Sequence, residues 1–392
     1  MRVLYPAISG SGVAVYTERL AAGLAPLGWN GQLLRFSPAW EFLPWGLPLA
    51  LSRNTPQTKD FSLVHVNADY GCYLSVAGKP LVATLHHSAI DAPYLSTLSL
   101  PVRWHHRLIL KPSVGKTLRK ANALVAVSQH TRDTICEVFQ QEFPIRVIPN
   151  GIDTNRFRPT TPEPVSVGDS VTNSGSRESV QRHASDAYGD ENREPAAETV
   201  VAPNLGPTPL NEPRKTGGPV ILFFSGNLSH RKGADLFVPV MKQLGNEYEL
   251  RATGGLRDDA SPFLNARNIR CLGRLSEDEL IGQINQADIS FQPSRREGFG
   301  LSILEAMACG KPVVSSNVSA IPEVLAHEKG GYLCEPGSVD QLVNAIRRLA
   351  HSETLRRQMG QFNRRAVEEK FTLVQMARAY HTLYQTVAGH PE

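Results

Sequence analysis

What the chain lacks already sets limits. No apolar run approaches the about 20 residues needed to cross a bilayer, so any membrane contact must be peripheral. The first residues, Met1 to Pro6, are too short an apolar run for a signal peptide and read as a first strand. Cysteine is sparse: Cys72, Cys136, Cys271, Cys309 and Cys334 form an odd, scattered set without metal-ligand spacing. That excludes a disulfide framework and suits a reducing, cytoplasmic compartment. No Asp-x-Asp precedes a small loop and no His/Cys cluster occurs, so neither a metal nor another cofactor is expected. Two local absences add to this. No acidic residue occurs from Ala92 through Arg132, and no Leu, Ile, Phe, Met or Trp lies between Phe157 and Leu205.

The acid-free window holds Arg103, Arg107, Lys111, Lys116, Arg119, Lys120 and Arg132, with Trp104, Leu108, Ile109 and Leu110 interleaved. A solvated helical face accounts for such a run. So does a basic amphipathic surface over 103–120 resting on anionic lipid, where each basic residue adds about 1 kcal/mol. Both readings stay open at this point. The apolar-poor window cannot bury enough surface to offset its ordering entropy, so 159–216 reads as a disordered linker. A chain of 392 residues exceeds one ordinary core, which makes two domains the expectation, over 1–158 and 217–371. Hydrophobic content of 41 % and charged content of 20 % are those of a globular protein, and a net charge of +4 does not imply nucleic acid.

The stretch richest in chemistry is Arg296-Glu297-Gly298-Phe299-Gly300-Leu301-Ser302-Ile303-Leu304-Glu305-Ala306-Met307. Ala287 to Pro293 ahead of it reads as a short buried strand, and Leu301 onward as a helix ending at Gly310 before Pro312. Gly298 and Gly300 let the backbone approach a ligand, and the helix start offers unpaired N–H groups with partial positive charge. That seats an anion such as phosphate. Glu297 and Glu305 suit hydroxyls instead, so the pair fits a molecule with sugar rings on both sides of a diphosphate. A capped core helix with two surface glutamates is the plainer alternative.

These residues resemble the hallmark Glu-x7-Glu of the retaining nucleotide-sugar glycosyltransferases of family 4, the glycosyl transferases of group 1. The resemblance covers nearly the whole chain outside 159–216. It implies an α/β fold of two Rossmann-like domains facing across a cleft (GT-B), with a C-terminal helix, here 372–392, crossing back to the N-terminal, acceptor-binding domain. It implies a nucleoside-diphosphate sugar as donor, a glycan or lipid-linked hydroxyl as acceptor, and retention of anomeric configuration.

Along the chain, Gly10-Ser11-Gly12 follows the first strand, and Val13 to Leu24 has helical apolar spacing. The resemblance sets Gly10 and Gly12 against the donor diphosphate. Strands are read at Asp60–Asn67 and Pro80–His87. A histidine at the second strand's end is either a satisfied structural residue or a cleft residue. By resemblance His86 contacts the donor sugar, with His87 the alternative. Ser128 is placed to cap a helix over Gln129–Phe139. After the strand Pro219–Gly226, the loop Asn227 to Gly233 carries Arg231 and Lys232 ahead of a helix from Ala234. Relatives bind the diphosphate with an arginine and a lysine here. Lys232 matches the lysine, Asn227 stands at the arginine's position, and Arg231 is the natural replacement because its fork still fits phosphate. Gly273 and Arg274, ending the strand from Ile269, lie where relatives hold the base. Ser276 to Glu279 is a capping box, and Ser319 to Glu323 replaces the relatives' Gly-Gly-x-Pro-Glu.

By resemblance Glu297 holds sugar hydroxyls and the developing positive centre, Glu305 grips the ribose, and Arg231, Lys232 and the helix start at Leu301 neutralise the diphosphate. Gly298, Phe299 and Gly300 complete the donor contacts. Two other functions share this pattern: a nucleotide-sugar epimerase of the same fold, and a non-catalytic sugar-nucleotide-binding protein.

Overall fold

Short strands with apolar residues on both faces cannot remain at a surface, and here they assemble into two parallel sheets covered on both sides by helices. The computed structural model describes residues 1–8, 12–54, 60–96, 98–160, 218–254 and 264–389. The first sheet contains β1 (Arg2–Ile8), β2 (Asn30–Phe36), β3 (Leu63–Asn67), β4 (Leu81–Leu85), β5 (Ala123–Ala126) and β6 (Ile145–Val147). The second contains β7 (Val220–Ser225), β8 (Tyr248–Thr253), β9 (Ile269–Gly273), β10 (Ile289–Gln292), β11 (Val313–Ser316) and β12 (Gly331–Cys334). Their orders are β2-β1-β3-β4-β5-β6 and β12-β11-β10-β7-β8-β9, every neighbour parallel. These are the two common doubly wound orders, so each half is Rossmann-like, and the GT-B expectation holds.

The C-terminal helix Leu373–Ala388 starts at a capping box formed by Thr372 and Gln375. It buries Met376, Ala377, Tyr380, Leu383 and Tyr384 in the first half's core, against Val3, Tyr5, Tyr16, Leu20 and Trp29. Its hydroxyls are satisfied there: Tyr16 donates to Tyr380 at 2.6 Å, and the two nitrogens of His65 reach Tyr384 at 2.5 Å and Thr84 at 2.7 Å. Burial pushes His65 down to about 3, so the imidazole in this network is neutral.

One expectation needs adjustment. The helix expected from Ala234 begins at Phe237, after 3-10 turns at His230–Lys232 and Ala234–Leu236. Pro239 has no N–H and is tolerated only in a first helical turn, which fixes that start. The basic run is a helix over Leu100–His105, a π turn over His106–Leu110 and a helix over Lys111–Lys120. Gly10 and most of the expected linker, 161–216, lie outside the described residues. Among the described residues no helix is long and apolar enough to cross a membrane.

Candidate active site

In the second sheet the strand order reverses between β10 and β7, so the loops leaving those strands diverge and open a crevice at their carboxyl ends. The loop after β7 carries Asn227, Arg231 and Lys232; the loop after β10 carries Ser294, Arg296, Glu297 and Gly298. Gly233 sets how closely the loops meet. Its backbone is left-handed (φ 74°), and a Cβ there would lie 2.0 Å from the Pro293 carbonyl oxygen. At that spacing Lys232 Nζ stands 2.5 Å from Glu297 Oε1, and Ser294 Oγ donates to the same oxygen at 2.8 Å. Both bonds fall on Oε1, which leaves Oε2 for a ligand. Burial alone would raise the Glu297 carboxyl, but the Lys232 and Arg231 cations outweigh it and hold the group below the usual carboxylate range.

Gly300 caps the helix Leu301–Ala308, whose first turn points unpaired N–H groups back into the crevice. Phe299 is spent in the core: its ring packs against Phe371 at 5.8 Å, leaving only its backbone for a ligand. Glu305, a turn into the helix, meets Arg19 of the helix Gly12–Leu24 in the other half, with Nη2 at 3.0 Å. Burial pushes the Glu305 carboxyl above its ordinary range, and the Arg19 cation only partly opposes this. Arg19 Nη1 is buried with no partner, so one donor of the fork is still unused.

The first half closes on the same turn. A Cβ on Gly298 would lie 1.8 Å from the His86 carbonyl oxygen, so only glycine permits this approach. Ser128 Oγ donates to the Gly298 carbonyl at 2.8 Å. Arg296 pairs with Asp91 and donates to the Ser88 carbonyl at 3.3 Å. Glu323 accepts from the backbone N–H groups of Gln129 (2.8 Å) and His130 (2.7 Å), capping the helix Gln129–Phe139 from across the interface. His86 rests edge-on against Tyr16 at 4.4 Å, and burial pushes it down to about 3. His87 is also shifted down, by burial first and by Arg231 and Arg296 beyond it, while Asp69 opposes. Both imidazoles are therefore neutral.

Lys232, Glu297, Gly298 and His86 are thus brought together. Arg231 borders them, exposed, donating to the Arg296 carbonyl at 3.1 Å. Asn227 is exposed, and Gly12 opens the first helix. Gly273 ends the edge strand β9, where its carbonyl accepts from Thr253 Oγ1 at 2.6 Å; Arg274 is exposed beside it. Sequence reasoning missed Arg19, Asp91 and Ser294 altogether, and it gave Glu323 no partner. A basic residue on the helix after a glycine loop was the available signal for Arg19.

Residues 210–366 match the family described as Glycosyl transferases group 1, and residues 31–156 match Glycosyltransferase Family 4. An uncharacterized glycosyltransferase of Methanocaldococcus jannaschii is 29 % identical over 42 % of this chain and 48 % of its own length. The chain therefore spans about half of that relative. The MMP alpha-(1->4)-mannosyltransferase of Mycolicibacterium hassiacum is 26 % identical over 83 % of this chain and 71 % of its own. Among solved structures, HepE of Anabaena, crystallised in complex with UDP-glucose, superposes with a TM-score of 0.71 at 16 % identity, covering 98 % of this chain and all of that one.

Proposed function

The chain belongs to the glycosyl transferases of group 1, and on that premise we propose that its crevice transfers a sugar from a nucleoside diphosphate to a hydroxyl acceptor with retention of configuration. The observation that carries this reading is the Lys232–Glu297–Ser294 cluster at the strand-order reversal, abutting the start of the helix Leu301–Ala308. The UDP-glucose bound by the Anabaena neighbour supports a donor of this class.

In this proposal the diphosphate rests against the Leu301 and Ser302 N–H groups, with Lys232 and Arg231 beside it. The anomeric C–O bond to the phosphate breaks, and the cations take up the charge that develops on the leaving oxygen. Glu297 Oε2 accepts from sugar hydroxyls and stabilises the positive centre; a carboxylate held anionic is suited to that. Glu305 accepts from the ribose hydroxyls. The acceptor oxygen forms the new bond on the same face, and its proton goes to the leaving phosphate oxygen, so no side-chain nucleophile is required. The acceptor is a glycan or lipid-linked hydroxyl on the cytoplasmic side of a membrane. No metal enters the scheme.

The test is a thermal-shift panel of nucleoside diphosphates and their sugars, in which a true donor at about 100 times its Kd stabilises by about 2.7 kcal/mol. Absence of any shift across the panel sinks the proposal. Conversion of the donor without acceptor would assign an epimerase instead.

A further inference from the structure

Buried side-chain polar groups usually bond to backbone or water; a buried cluster that bonds mainly to itself fixes geometry instead. The first half holds such a cluster, built around the helix Leu373–Ala388. Tyr16 donates to the Tyr380 hydroxyl at 2.6 Å, which lies 3.0 Å from Thr84 Oγ1. The series continues through His65, 2.7 Å from Thr84 Oγ1 and 2.5 Å from the Tyr384 hydroxyl, and ends on Tyr5 at 3.3 Å from Tyr384. All six residues are buried. Replacing both partners of such a bond by apolar groups of the same shape is close to neutral for stability, so these hydroxyls are not needed to hold the helix down.

A neighbour of the cluster reaches the crevice. His86 directly follows β4, two residues past Thr84, so the two side chains share a face of that strand. The His86 ring meets the Tyr16 ring edge-on, with centroids 4.4 Å apart. Unlike the cluster, His86 is partly exposed, and its carbonyl abuts Gly298, next to Glu297. A cavity of only about 10 Å³ remains among Tyr16, His65, Asn67 and His86, too little for the imidazole to turn in. The Tyr16 ring is thus the surface against which His86 is set, and its own angle is set by Tyr380. Without the Tyr380 oxygen the Tyr16 hydroxyl must turn to Thr84 or go unbonded, and either moves the ring.

We infer that Tyr380 is a positioning residue: through Tyr16, the last helix fixes the orientation of His86 beside the Gly298 turn. The inference rests on the proposed transferase reading only for what His86 then meets; the coupling itself stands apart from it.

The experiment follows the His86 ring by NMR of the full chain carrying isotope-labelled histidine, its signal identified by loss in His86→Gln. Tyr380→Phe is expected to shift that signal, although the two side chains share no hydrogen bond. It should also lower turnover of the nucleoside-diphosphate sugar that responds in the thermal-shift panel by about tenfold, with donor-induced stabilisation unchanged, since a small misplacement costs rate more than affinity. Tyr16→Phe should do the same, and the double substitution no more than either, because both break one bond. Tyr384→Phe, on the same helix and equally buried, is the control for core damage: it should lower the melting temperature without moving His86. An unmoved His86 signal in Tyr380→Phe overturns the inference. So does a shift that Tyr384→Phe matches, or a shift that leaves turnover intact. Silence of the whole donor panel, with His86 still following Tyr380, strikes the transferase reading alone.

Discussion

Glu297 and Glu305 are equally buried, each 8 % exposed, yet their carboxyls shift in opposite directions. Burial raises both. What separates them is how many groups hydrogen-bond them directly and whether a like charge stands nearby. Glu297 is hydrogen-bonded by Lys232 and the Ser294 hydroxyl, with the Arg231 cation beside them; Glu305 is hydrogen-bonded by Arg19, feels Lys232 only weakly, and is opposed by Glu277. Direct hydrogen-bond partners and like-charge neighbours, not depth, decide whether a buried carboxylate stays ionised. The first glutamate is a fixed anion, suited to facing a cationic centre. The second is a conditional one, held by a single arginine from the opposite half.

The strongest way to break the comparison is Glu297→Gln, which keeps the shape and removes the charge. Transfer should fall by about three orders of magnitude while donor affinity changes by less than about tenfold, because the charge acts mainly on the developing positive centre. Single-turnover rates and donor titrations read the two separately; equal losses in both would make Glu297 a binding residue only. Next in size is Gly298→Ala. The new methyl would meet the His86 carbonyl, so the two halves must part. A displacement of about 1 Å is expected to cost about 100-fold in turnover. The melting temperature should move little, since the clash is relieved by opening. A large fall in stability with normal residual turnover would place the constraint in folding instead.

Much of this was legible in the sequence, for reasons particular to each element. The stretch from β10 through the helix Leu301–Ala308 carries its own punctuation in Pro293, Gly300 and Gly310, and its apolar run needs no distant information. Lys232 and Glu297 were recognisable as residue types. Their pairing was not, because it depends on β7 and β10 being neighbours, and strand order is a property of the whole sheet. Arg19, Asp91 and Glu323 stayed hidden for a related reason. Each is a charged residue whose partner lies in the other half, and a local reading assigns such residues to solvent.

Arg19→Ala sharpens the comparison from the Glu305 side. Stripping a buried carboxylate of its cation usually costs about 3–5 kcal/mol. Here the cost is expected to be smaller, about 2 kcal/mol near pH 7, because a carboxyl already shifted upward relieves itself by taking a proton. The sign with pH follows. A group whose folded pKa is raised binds more protons when folded, so stability falls as pH rises from its unfolded value through the folded one. Removing Arg19 raises the folded value further, and the variant's deficit should be larger at pH 8 than at pH 5 in urea unfolding. Glu297, shifted downward, contributes stability that is present above the usual carboxylate value and lost as pH falls through its own. A deficit for Arg19→Ala that grows on acidification would contradict the assignment of opposite shifts.

Glu323 is the exposed control, and Glu323→Gln should have the smallest effect. Its carboxylate caps the helix Gln129–Phe139 across the interface, but that helix already has Ser128 Oγ accepting from the Thr131 N–H at 3.1 Å. An exposed cap with a substitute in place is worth at most about 1 kcal/mol, and the neutral amide still offers one acceptor oxygen. What disappears is the attraction between a full charge and the positive end of the helix, a term that salt screens. Urea unfolding at low salt should therefore show a small deficit that fades by about 1 M salt, where the Debye length is about 3 Å. The Arg19→Ala deficit, set by a buried pair, should persist in the same salt. If Glu323→Gln cost as much as Arg19→Ala and resisted salt equally, exposure would not separate these sites, and the contrast between conditional and fixed carboxylates would have to be sought in the interface itself.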